Sequence, residues 1–577
     1  MKNPSKVIIL FILFCSSKNL LGQQLNSNAI KGIIKDEFGK ALEDINVLIE
    51  GTNKGAASNT KGYFEIRNVA LKAYTLIFSG VGIQEKRIVV KPANGKFSIV
   101  NIQLKSAINT IQEVVVVSKT EVEKIEETSF SVNAIDVEDL KAQNAELTEV
   151  LKGSEGIRIR LSGGIGSRYT FSLNGLSNNR IRFFADHIPV TYLGSIYDLN
   201  NIPVNIVSNV EVYKGVVPIF LGSDALGGAV NINTFKSDKS FIDASYSYGS
   251  FNTNKLTINS QYRNQKSGFT IRPKLYYLSS DNNYKVYDKE IYNDENEVWE
   301  VKNVERFHDF YSSSTSIVET GFSNVNWADE FLLGHSYNSV IDDEQTDIYG
   351  NPRGEVFSKE TSSIFSFKYN KKDLLNKKLA LSLFSIYNEQ NAKVVDTSSN
   401  RYNWSGEITR IANDNTGELF SEKTLFEFQQ KTFMNRAFVD YAFNEKNSLS
   451  SNVIFSNVKR QGENRLGDPE EQPFKNPNEL VSTVFGLGYK SELFEEKLRL
   501  DIGTKYYKFN VFAQDARFSA IDNSTTIEDV ESTTEEIGYF LAARWFILPK
   551  LYVKASFEKG VRFPEVFEIF GLSLIHI

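Results

Sequence analysis

The sequence predicts an all-β dominated chain: a small β-sandwich, then an α+β domain, then an antiparallel transmembrane β-barrel that is incomplete. Three observations carry this. Aromatic residues make up 12% of 577 residues, with 42 Phe and 26 Tyr against one Cys, two Met and four His, a balance suited to strands bearing amphipathic rings. After Lys236 apolar and polar residues alternate over about ten positions at a time, the reach of a tilted membrane strand. The connections between those runs alternate short and long, as hairpins on the two sides of a membrane do.

The first 22 residues read as a secretory signal: Lys2 and Lys6, an apolar run from Val7 to Cys15, then polar and small residues to Gly22. Its removal would take Lys2, Lys6 and Lys18 and no acid, moving the formal net charge from −6 to −9. An acidic chain argues against nucleic acid as a partner. Cys15 is the only thiol, so the rest of the chain holds no disulfide, zinc-thiolate or cysteine nucleophile. His187, His308, His335 and His576 stand apart and form no H-E-x-x-H pattern. Neither a metal centre nor a cofactor is expected, and no set of nucleophile, base and orienter suggests an enzyme.

Residues 23–107 alternate short β-rich runs, at Asn46 to Ile49, Tyr63 to Ile66 and Tyr74 to Phe78, with turn signals such as Asp36-Glu37-Phe38-Gly39 and Thr60-Lys61-Gly62. A sandwich follows. Its Lys31-Gly32-Ile33-Ile34-Lys35-Asp36, Gly39, Asn46-Val47, Gly51-Thr52 and Gly62-Tyr63-Phe64 resemble the carboxypeptidase-regulatory-like domain. That resemblance implies a non-catalytic module.

Residues 108–128 carry Glu113-Val114-Val115-Val116-Val117 before a charged stretch, Thr120 to Thr128. Read alone, the valines are either the last strand of the sandwich or an extended peptide offered to another protein's sheet edge. Residues 129–235 then bring Asn174-Gly175-Leu176, Asp186-His187-Ile188-Pro189-Val190, Val210-Glu211-Val212-Tyr213-Lys214-Gly215 and Leu221 through Ile232. Their order and spacing resemble the plug domain of TonB-dependent outer-membrane receptors, with Asn174 and His187 where that family commonly has Arg and Gly. The resemblance implies that Glu113 to Val117 is a TonB box, bound by a TonB-type periplasmic energy-coupling protein.

From residue 236 to 571 the strand pattern sets Ile242, Ala244, Tyr246 and Tyr248 against Asp243, Ser245 and Ser247, and Phe269, Ile271, Leu275 and Tyr277 against Thr270, Arg272 and Lys274. Charged inner faces suit a plug-filled or water-filled lumen, which places lipid of the outer membrane on the aromatic side. Short turns near Asn264 to Ser267, Lys372 to Lys377, Glu495-Glu496 and Pro549-Lys550 alternate with long polar segments at Ser279 to Asp309, Asp342 to Thr361, Thr397 to Glu427 and Gln461 to Leu480. This gives roughly 13 strands where plugged transporters have about 22. Leu572 to Ile577 reads as a non-native tail on a chain expected to continue.

By resemblance the chain is a multi-pass β-barrel of the cell outer membrane that takes up a scarce bulky ligand actively, foremost a ferric siderophore or similar metal chelate. The alternative is a SusC-like oligosaccharide importer. Expected ligand contacts are the plug residues Asn178, Asn179, Arg180, Asp186, His187 and Tyr192, with the loops Tyr284 to Trp299 and Tyr402 to Trp404, since Tyr and Trp give contact area at little entropy cost.

Overall fold

The computed structural model describes residues 28–105 and 120–569, apart from 82, 144–145, 223, 294–295, 347–349, 420–421, 468–471, 473–474, 520–523 and 550. The signal, Glu113 to Val117 and the tail from Leu572 lie outside the described residues. Two compact units divide the chain, residues 1–117 and 118–577.

The first unit packs two sheets. One has the order Tyr63–Ile66, Ile30–Asp36, Val100–Leu104; the other Gly55–Ala57, Asn46–Ile49, Tyr74–Gly80, Ile83–Val90. Alternation decides which side chains enter the core: Ile30 and Ile34, Val47 and Ile49, Phe64 and Ile66, Leu76 and Phe78 are buried. Phe64 meets Phe78 edge to face at 5.7 Å, an arrangement that adds about 0.5–1.5 kcal/mol beyond area burial.

The second unit opens on the helix Glu121–Glu126, where a linker was expected. Thr120 caps it, its hydroxyl taking the Glu123 N–H while the Glu123 carboxylate takes the Thr120 N–H, a reciprocal cap that the Thr-x-x-Glu spacing encodes. A five-stranded mixed sheet follows, in the order Ile188–Pro189, Ile181–Ala185, Gly228–Thr234, Val207–Lys214, Val132–Asp136, beside a three-stranded sheet and the helix Leu147–Lys152. Its core joins plug residues such as Val210, Val230 and Leu151 to inward residues of the surrounding strands, Ile317, Ile364, Ile386, Met434 and Ile454.

Thirteen antiparallel strands, from Phe241–Gly249 to Leu551–Lys559, form the surrounding sheet in chain order. The faces divide as alternation requires. Thr270, Arg272, Asn259 and Gln261 are buried inward, while Ile242, Tyr246, Tyr262 and Tyr277 are exposed outward. On Thr424–Asn444 the outward stretch from Phe433 to Phe443, apolar but for Asn435, is about 26 Å tall at about 3.4 Å per residue and a tilt of about 40°. That matches a bilayer's hydrocarbon.

The short connections near 264–268, 374–378 and 494–497 all lie at one rim, together with the tight turns at 326–327 and 445–446; the long ones, 281–310, 344–356, 397–423 and 465–477, lie at the other. Among the described residues the long-loop rim also carries a tight turn, 250–252. Two of the long polar segments contain hairpins: Lys285–Asn293 with Val298–Glu305, and Asn400–Tyr402 with Ile408–Ile411.

Candidate functional site

Strand polarity fixes which plug residues face which rim. Ile181–Ala185 runs from the long-loop side to the short-turn side, and five residues of strand cover about 17 Å. Its two ends therefore cannot share a surface. Asn178–Arg180, a single 3-10 turn, precedes the strand on the long-loop side. The Arg180 carbonyl accepts the N–H groups of Leu226 and Gly227, and the Asn179 amide donates to Glu568 at 3.2 Å. Tyr192 returns to this side after Ile188–Pro189; Ser456 donates to its hydroxyl at 3.1 Å and Asn388 to its carbonyl at 3.3 Å.

Asp186 and His187 occupy the opposite end. The Asp186 carboxylate takes the Thr234 N–H and hydroxyl at 3.0 and 2.7 Å, with Lys236 and Lys368 at 3.9 and 4.0 Å. Around them Arg272 pairs with Glu330 at 2.7 Å and Lys368 with Glu319 at 3.5 Å. Lys368 and Glu330 sit within a few residues of the short turns. The His187 N–H donates to Asn231 and its ring meets Phe220 edge to face at 5.2 Å. The expected six-residue ligand set thus divides: Asn179, Arg180 and Tyr192, with the backbone of Asn178, lie toward the long loops, and Asp186 and His187 anchor the plug below. His187 is no ligand-facing tip. With φ 69°, beside Asp186 at 48°, it holds a left-handed turn position where a glycine would be unstrained.

The plug also meets the roof at its turn Gly163 to Arg168. Asn282, at the foot of the first long loop, accepts the Ile165 N–H at 3.1 Å and donates to its carbonyl at 2.8 Å. Arg168 pairs with Glu344 at 2.8 Å. Gly166, at φ 82°, lies so close to Tyr311 that a Cβ would stand 2.1 Å from the ring.

Three long loops interlock above. Phe307 packs on Tyr402 at 6.0 Å, and the Lys289 ammonium sits 4.2 Å from the Trp404 ring. Glu355 accepts from the Tyr402 hydroxyl at 2.6 Å, Asn400 at 2.8 Å and Ser398 at 3.0 Å, and those donors hold its carboxyl below the usual range. Glu418 accepts the Gly354 and Glu355 N–H groups at 2.7 and 3.1 Å. Burial, helped by the nearby Asp396 and Glu355 charges, still pushes its carboxyl up to about 7. Burial likewise lifts Asp309 to about 6 despite Arg306. The structure thereby joins the two expected loop segments through Lys289 and Trp404. Sequence reasoning missed Asn282, Phe307, Glu355 and Glu418, each a single polar or aromatic residue in a polar stretch with no spacing signal.

Beneath the loops the inward wall carries Arg460, whose guanidinium lies 4.5 Å from the Phe428 ring and donates to Gln430 at 3.1 Å. No carboxylate pairs with it among the described residues, and Glu360, the acid acting on it from a distance, receives the Ser195 hydroxyl. At the other rim the plug begins: Lys554 donates to the Phe130 carbonyl at 2.7 Å, and Arg544 holds the carbonyls of Glu127 and Glu496.

Comparison with known proteins agrees with this architecture. Residues 30–116 match the CarboxypepD_reg-like domain and residues 124–229 the TonB-dependent Receptor Plug Domain. The chain is 31% identical over 134 residues to the vitamin B12 transporter BtuB of Vibrio vulnificus, covering 23% of this chain and 22% of that protein. It is 28% identical over 230 residues to TonB-dependent receptor P26 of Formosa agariphila, 38% of this chain and 21% of the relative. The chain thus spans about a fifth of the length of the curated relatives it matches. The siderophore receptor PiuA of Acinetobacter baumannii shares the fold, with a TM-score of 0.52 at 14% identity over 74% of this chain and 64% of that one. The chain thus carries a CarboxypepD_reg-like domain and a TonB-dependent receptor plug domain, and its fold is that of solved proteins such as PiuA.

Proposed function

We propose that the chain works in the outer membrane as an energy-dependent importer of a bulky anionic metal chelate, foremost a ferric siderophore. The observation that carries this is the plug's polarity. Its first residues are pinned at the short-turn rim by Arg544 and Lys554, whereas Arg180, Tyr192 and Gly163 to Arg168 face the long loops. Ligand captured under the loops meets the plug at one end, and a pull on Glu113 to Val117 enters at the other. The apolar outward belt supports a membrane setting. Arg460 supports an anionic ligand, because a guanidinium against an aromatic face and an amide, with no carboxylate partner, gains most from an incoming anion.

The test is uptake of radiolabelled ferric chelates, a corrinoid and an oligosaccharide by cells producing the protein, with and without a protonophore. The expected result is protonophore-sensitive uptake of an anionic ferric chelate, with Arg460→Gln lowering affinity by about tenfold, the worth of one charge-assisted hydrogen bond. Uptake of the oligosaccharide alone would overturn the ligand assignment.

A further inference from the structure

A cavity of about 560 Å³ is on the outside of the barrel. Its polar lining residues Lys359, Thr361, Asn391, Lys393, Glu427 and Gln429 alternate along their strands with the buried inward residues Ser362, Ala392, Phe428 and Gln430, of which Ala392 and Phe428 also border the cavity. Gln461, Gly462 and Glu463 of the next strand and Lys475 of the 465–477 loop also line it. The site cannot feed the lumen.

Height and charge indicate an occupant. On Thr424–Asn444 the apolar belt stops at Phe433, and the lining residues Gln429 and Glu427 stand four and six residues above it. With about 3.4 Å per residue and a tilt of about 40°, the cavity lies about 10 to 16 Å above the hydrocarbon. An ordinary phospholipid headgroup layer is only about 5 to 8 Å deep, so a headgroup of two or more sugars is needed to reach it. The carboxylates are already engaged: Glu427 by Lys393 at 3.4 Å and by Arg465 at 2.5 Å, and Glu463 by Arg465 at 3.8 Å. Lys359 and Lys475 have no carboxylate partner among the described residues. Asn391, Gln429 and Thr361 between them suit sugar hydroxyls. Directly below, the outward rings of Phe365, Tyr387 and Phe433 are exposed.

We infer that this concavity holds the phosphate- or carboxylate-bearing saccharide headgroup of an outer-leaflet glycolipid, whose acyl chains lie on the belt beneath. The inference rests on the reading of the sheet as a membrane barrel with its long loops outside.

The test uses the full chain in phosphatidylcholine nanodiscs and native mass spectrometry with three probes: a bis-phosphorylated glucosamine-disaccharide lipid, its dephosphorylated form, and the soluble disaccharide bisphosphate. The phosphorylated lipid should be retained at least about tenfold better than either other probe, and Lys359→Glu with Lys475→Glu should remove that preference. Equal retention of the dephosphorylated lipid, or an unchanged double variant, overturns the site. Equal retention of the soluble bisphosphate overturns its assignment to a lipid. The underlying barrel reading has its own readout: phosphatidylcholine with brominated acyl chains should quench the outward Trp327 and Trp545, which are 50% and 57% exposed, equally in both proteins. Absence of quenching defeats that reading whatever the glycolipid does.

Discussion

His187 and Tyr192 are five residues apart and serve different ends of the plug, so single substitutions separate anchoring from recognition. In His187→Gly the left-handed turn loses a cost of about 1–2 kcal/mol, offset by the lost ring contact with Phe220. Ligand affinity should stay within about twofold. Tyr192→Ala removes a plug side chain on the long-loop side and should weaken binding at least about tenfold; equal effects of the two variants would contradict the division of the site. Glu418 supplies a pH dependence. Its carboxyl is raised to about 7 from 4.5, so the folded loops favour the protonated form. Stability of the 397–423 loop is therefore greatest below about pH 4.5, declines as pH rises, and has lost this contribution above about pH 7. Hydrogen exchange in that loop should be faster at pH 8 than at pH 5, after correction for the intrinsic rate, and Glu418→Gln should reduce the difference. An unchanged pH response in Glu418→Gln would remove Glu418 as its source.

At the scale of elements, the close fit between the plug turn 163–168 and the first long loop depends on Gly166. A methyl group there would stand 2.1 Å from the Tyr311 ring in a backbone with φ 82°, so Gly166→Ala should cost about 2–4 kcal/mol from overpacking and strain. Limited proteolysis should cut the turn faster in that variant; wild-type resistance would show that the contact is slack. The strands themselves were legible because alternation has a fixed period and two chemically different solvents, lumen and lipid, sort the residues of each strand. Ile242 to Tyr248 and Phe269 to Tyr277 point as that rule requires. Side-to-side placement of the plug loops was not legible. A contiguous motif, Asn178 to Tyr192, looks like one surface in sequence, and only the direction of the intervening strand, set by its parallel pairing of Ile181 with Gly228 and Ala185 with Ile232, separates its ends. The loop hairpins escaped for a related reason: Tyr292 pairs with Trp299 and Val286 with Val304 across a register shift, which breaks the period-two pattern.

In the whole molecule, ligand capture is proposed at one rim and force at the other, joined through a plug that is bonded to the wall at several heights. Asn205 donates to Ser245 at 2.9 Å, Lys255 pairs with Glu146 at 3.0 Å, Tyr311 donates to Asn201 at 2.7 Å and Arg436 to the Phe220 carbonyl at 2.5 Å. Displacing such a plug against many contacts requires work supplied from outside the membrane plane, and Glu113 to Val117 is the segment proposed to receive it. The match of residues 30–116 to the CarboxypepD_reg-like domain reaches Val116, so a role as the last strand of that module is the competing reading. Val115→Pro separates the two, since proline deletes a ladder donor and disfavours a central strand. The decisive measurement is ferric-chelate uptake by cells producing Val115→Pro, taken with binding at the cell surface and protease resistance of residues 30–105. Energy coupling through the valine run predicts that uptake is lost while binding and resistance hold. Uptake at the unsubstituted rate, or a loss accompanied by digestion of the N-terminal module, would contradict it.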